Sequence, residues 1–63
     1  MPSVYIVTPV TKAAKDWVAE HTRLEPWQWL GGGFAVEHSY IEYIIVEMES
    51  EGLVSGTDFE VSS

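Results

Sequence analysis

The chain has 63 residues, 46% of them hydrophobic, with a formal net charge of −7 and no cysteine. This length admits one small domain, which buries about 60% of the surface its unfolded chain exposes, and the apolar content argues against disorder. The missing cysteines exclude disulfides, thiolate zinc sites and iron–sulfur clusters, and no apolar run approaches the roughly 20 residues needed to cross a bilayer.

Ser3 to Thr8 is β-branched and aromatic, apolar on both faces, and short, which predicts a central strand. Thr8-Pro9 then reads as an N-cap followed by a first helical residue. Val10, Ala13, Ala14, Trp17, Val18 and His21 recur at helical spacing, with Lys12, Lys15, Asp16 and Glu20 on the polar side. Lys12 and Asp16 are placed to pair at i, i+4.

Thr22 to Pro26 is a connection, and Trp27 to Leu30 alternates as a short strand. Gly31-Gly32-Gly33 permits positive φ and predicts a hairpin turn into a strand over Phe34–Glu37, with the register left open by the third glycine. Ser39-Tyr40-Ile41-Glu42 has the form of a capping box and opens a helix with Ile41, Ile44, Ile45 and Met48 inward. Gly52 is the expected residue just past its C-terminus. After a turn over Leu53–Gly56, Thr57 to Val61 alternates as an edge strand, with Phe59 and Val61 inward and Asp58 and Glu60 outward.

The expected class is therefore α+β: a small antiparallel sheet of three to four strands with two helices, over residues 1–63 as a single domain. The favoured order is β-α-β-β-α-β, the ferredoxin-like pattern. A three-stranded sheet, with the Trp segment as loop, is the alternative.

Charge is unevenly spread. Residues 1–23 hold Lys12, Lys15 and Arg23 against Asp16 and Glu20, whereas residues 24–63 hold eight acids and no Lys or Arg. Such a stretch repels nucleic acid and anionic membranes and attracts basic partners. A merely solubilising acidic surface is the competing reading.

Chemistry finds little support in the residue pattern. His21 and His38 are the only imidazoles and lack the spacing that brings metal ligands onto one helix face. His21 reads as a dipole partner at a helix end, and His38 as a residue packing on Tyr43. No Ser or Thr lies in a nucleophile-elbow sequence. The glycine run lacks the Lys-Ser/Thr of a phosphate-binding loop. The charge has the wrong sign for an RNA-recognition sheet. We expect no enzyme, no cofactor and no metal, and a monomer in the cytoplasm that binds protein and not nucleic acid or membrane.

The acids have a spacing of their own. Glu47 and Glu51 are i, i+4 neighbours, Glu42 and Glu49 stand two turns apart on one side of the same helix, and Tyr40 and Tyr43 lie among the acids of its outer face. Asp58 and Glu60 are expected about 6–7 Å apart on one strand face. Duplex DNA is likewise a dense row of negative charge. With these residues in view, the chain resembles in profile the small acidic inhibitors of bacteriophages and mobile elements, the DNA-imitating anti-CRISPR and anti-restriction proteins. The resemblance implies a target with a basic nucleic-acid groove, such as a CRISPR effector complex. The expected partner-binding residues are Tyr40, Glu42, Tyr43, Glu47, Glu49, Glu51, Asp58 and Glu60. The alternative is an adaptor that binds through an apolar aromatic surface, or a homodimer formed by edge pairing of Trp27–Leu30.

Overall fold

The computed structural model describes residues 4–23 and 29–63, with residues 29 and 30 described by backbone alone. In chain order they form β1 (Val4–Pro9), α1 (Lys12–His21), β2 (Trp29–Leu30), β3 (Gly33–Glu37), α2 (Ile41–Ser50) and β4 (Phe59–Ser62). Three strands carry the sheet, in the spatial order β3-β1-β4, and all neighbours are antiparallel. β2 adds only a two-residue arm to the outer edge of β3.

Counted by full-length strands, the fold is α+β, a three-stranded antiparallel sheet with two helices in the order β-α-β-α-β; the two-residue β2 stands where the expected second strand would be, and the full ferredoxin-like pattern is not reached. That pattern needs a full second strand, and among the described residues only Trp29 and Leu30 pair here, opposite Phe34 and Gly33. Trp27 and Gln28, the other half of the expected strand, lie outside the described residues. The turn itself takes Gly31 and Gly32, at φ of 59° and 91°. Two successive residues at positive φ match the twist of a tight hairpin, which releases Gly33 into the strand.

β1 is central because it can bury both flanks of its backbone in ladders. Tyr5, Val7 and Pro9 stand opposite Val36, Phe34 and Phe59, and Val7 also faces Val61. Residues directly opposite in an antiparallel pair share a face, and this face meets the helices. Val7, Phe34, Val36 and Phe59 are buried there with Ala14, Trp17 and Val18 of α1, Ile41 and Met48 of α2, and Leu53. The other face carries Val4, Ile6, Thr8, Gly33, Ala35, Glu37 and Glu60, with no helix of the described residues against it.

Helix α1 starts later than the sequence predicts. Pro9 is the last residue of β1, opposite Phe59, and Thr11 is the cap. The Ala14 N–H donates to Thr11 Oγ1 at 3.3 Å. Pro9 is tolerated at this strand end because the β1–β3 ladder has already closed at Val7, so fewer backbone N–H partners are required of it.

Helix α2 also departs at its start. The expected cap, Ser39, lies in a turn that Tyr40 N–H closes on Glu37 O at 2.9 Å. Tyr40 is the cap residue and makes no side-chain capping bond. The helix is displaced by one residue, so the Ser/Glu box does not form. The far end follows expectation: Gly52, at φ 88°, sits just past the C-cap Glu51. Leu53 N–H donates to Met48 O and Gly52 N–H to Glu49 O, the paired bonds of a Schellman motif. Both Leu53 and Met48 are buried in the core, which anchors that turn.

Asp58 precedes β4 instead of opening it. It lies half-buried in the turn before the strand, where its carboxylate accepts from Thr11 Oγ1 and from Val54 N–H, both at 2.8 Å. Its carbonyl accepts from Val10 and Thr11 N–H at 2.7 and 3.2 Å. One residue thus ties the β4 approach to the first turn of α1, across 47 positions of sequence.

Candidate functional site

At 100° per residue, α2 turns Ile41 and Met48 into the core, with Ile44 and Ile45 at its margins. The outward arc is what remains: Glu42, Tyr43, Val46, Glu49 and Ser50, all exposed, with Glu47 half-buried at its border. Tyr43 is 63% exposed, Val46 58% and the cap residue Tyr40 60%. Tyr40, Tyr43 and Val46 follow one another at i, i+3 spacing and form one oblique stripe. Glu42 and Glu49 flank Val46 on one side of the arc. Glu47 and Glu51 lie beyond Tyr43 on the other.

The electrostatics of this face are uncompensated. Among the described residues the ion pair is Lys12 Nζ to Asp16 Oδ2, at 2.8 Å on exposed α1, and α2 carries no base in its last turn. Glu47 and Glu49, with Glu51 as C-cap, stand where the helix dipole already presents its negative end, and a cation belongs there. Glu42 alone sits at the favourable end.

The structure brings six of the eight expected residues together: Tyr40, Glu42, Tyr43, Glu47, Glu49 and Glu51 share α2 and its caps. It separates the other two. Asp58 is held in the clamp described above, and the donated bonds from Val54 N–H and Thr11 Oγ1 lower its pKa from the ordinary aspartate value. Glu60 alternates with the buried Phe59 and stands opposite Thr8, so it projects from the sheet face away from the helices. An acidic face spanning α2 and the last strand is therefore corrected to two acidic regions on opposite sides. Glu37 is exposed on the same sheet face, at the opposite end of the sheet from Glu60.

Sequence reasoning missed a second acidic feature. Asp16, Glu20 and Glu51 line a cleft of about 160 Å³ with Ala13, Trp17, His21 and Leu53. The His21 ring stacks on Trp17, with centroids 4.6 Å apart, and its Nδ1 lies 2.9 Å from Trp17 O. Helical spacing set His21 on the apolar stripe and Asp16 and Glu20 on the polar side of α1, and the approach of Glu51 from the end of α2 has no local signal. His38 lies near Tyr5, with ring centroids 6.1 Å apart, and not on Tyr43 as expected. Among the described residues no three His, Asp or Glu side chains gather as a metal site, and no helix is long and apolar enough to cross a membrane.

No family model, curated protein or solved structure compared with the chain matches it.

Proposed function

We propose that the chain is an acidic protein-binding inhibitor whose α2 face occupies a basic groove of its target, a groove that otherwise holds nucleic acid. The observation that carries this reading is the set of Glu42, Glu47, Glu49 and Glu51 around exposed Tyr43 and Val46, on a helix without a base. Like charges on one short helix destabilise it by a few tenths of a kcal/mol per close pair. A partner's Lys and Arg side chains would offset that repulsion. Electrostatic complementarity of this kind speeds encounter and excludes acidic competitors. The contact does not include Asp58, whose oxygens are engaged within the fold, or Glu60, which faces the other way. Inhibition follows from occupancy, because a groove filled by α2 is closed to phosphates, and no chemical step is required.

The test begins with capture of the target from source cells and its purification. Affinity is then measured between about 50 and about 500 mM salt, across which surface charge attraction is largely screened. The expected result is a steep loss of affinity with salt, displacement by duplex DNA, and loss of binding in the Glu47→Lys/Glu51→Lys variant with its melting curve retained. Affinity indifferent to salt and to charge reversal would refute the proposal.

A further inference from the structure

We infer that α2 is received as a helix laid into a groove with an apolar floor and two basic walls. The inference rests on the protein-binding reading above and names the recognition mode of that same face. Tyr40, Tyr43 and Val46 are each more than half exposed and follow one another at single-turn intervals. Carboxylates surround the stripe, with Glu42 on one side, Glu47 and Glu51 towards the other, and Glu49 in line at its end. From Tyr40 to Glu51 this face runs about 16 Å at the helical rise of 1.5 Å per residue.

A partner that offered charge alone would leave the middle of this face unused. Valine on a solvent-facing helix surface lowers helix propensity and solubility together, and its neighbour here is a tyrosine ring. Helices that dock in grooves place apolar anchors at i, i+3 and i+4, with charge at the margins. Aromatic anchors at the centre of a contact carry most of its energy. Two other surfaces among the described residues lack one half of this combination. The open sheet face has Val4, Ile6 and Ala35, but its acids Glu37 and Glu60 lie at opposite ends of the sheet. The α1 cleft has acids, but its apolar lining residues Trp17 and Leu53 are buried. On α2, apolar centre and acidic margins coincide.

Two synthetic cationic probes separate the possibilities. One is an amphipathic helical peptide with a leucine stripe between two lysine rows. The other is poly-L-lysine of equal charge. The leucine–lysine peptide is expected to bind at least about tenfold more tightly near physiological salt, with amide shifts centred on α2. In the Tyr43→Ser/Val46→Ser variant that advantage vanishes while poly-lysine affinity is unchanged. In the Glu42→Gln/Glu47→Gln/Glu49→Gln/Glu51→Gln variant both probes weaken. All these side chains are exposed except the half-buried Glu47, and circular-dichroism melts verify folding. Equal affinity for the two probes overturns the groove inference and leaves charge recognition standing, as does mapping of the leucine–lysine peptide to Val4, Ile6 and Ala35 or to the α1 cleft. Failure of both probes to perturb α2 at low salt overturns the reading on which it rests.

Discussion

Asp58 shows how one side chain can matter in a way its neighbours in sequence do not announce. Within Thr57-Asp58-Phe59-Glu60-Val61 it reads as an outward strand residue, and the alternation is correct for Phe59, Glu60 and Val61. Its true partners are Thr11 and Val54, and the Thr11 contact depends on the whole chain having folded. The pH dependence follows from the same bonds. Because the folded carboxyl titrates below the ordinary aspartate value of about 3.9, its contribution is complete above that value and is lost as pH falls through the folded pKa. Asp58→Asn should therefore lower the urea midpoint near neutrality, and the gap to the parent should narrow as pH drops below about 4. A gap that is constant with pH would place the effect in packing instead.

At the scale of the elements, Gly33 sets how β3 lies against β1. A Cβ built there would meet Thr8 Oγ1 at 2.6 Å, Ile6 Cγ2 at 2.7 Å and Val7 O at 3.0 Å. The side chains of Thr8 and Ile6 fill the space on the open face that a residue at position 33 would otherwise claim. Gly33→Ala should cost about 1–3 kcal/mol in denaturant unfolding, the usual penalty for overfilling a packed place. The glycine run was legible as a hairpin, but three glycines could be divided between turn and strand in more than one way, and the division depends on Thr8 and Ile6. The helices were more legible, because burial at Ala14, Trp17 and Val18, and at Ile41 and Met48, follows their period. Their first residues were not. Pro9 and Ser39 each suit a helix start, and each lost that place to strand pairing or to a turn closing on Glu37.

Taken whole, the molecule carries an excess of seven negative charges on 63 residues. Self-repulsion of this kind weakens a compact state, and salt screens it. The thermal midpoint of the free chain should therefore rise between about 20 and about 300 mM sodium chloride, the range in which target binding should fall. A midpoint that is flat or declining would mean that the acids stand too far apart to oppose folding. The grouping of six site residues on α2 was legible from helical spacing alone. The division between α2 and the open sheet face was not, because it depends on which side of the sheet both helices cover. One property of α2 ties these scales together. Its final turn places Glu47 and Glu49, with Glu51 beside them, at the negative end of the helix dipole, while bonds to Met48 O, Glu49 O and Glu47 O hold that turn closed. In the free chain that end is held by its backbone bonds and by buried Met48 and Leu53 against the repulsion of its own side chains. Cations arriving there would relieve that repulsion without having to order the backbone, so a partner would gain the charge contact at little conformational cost, and the domain would resist heat better in company than in isolation.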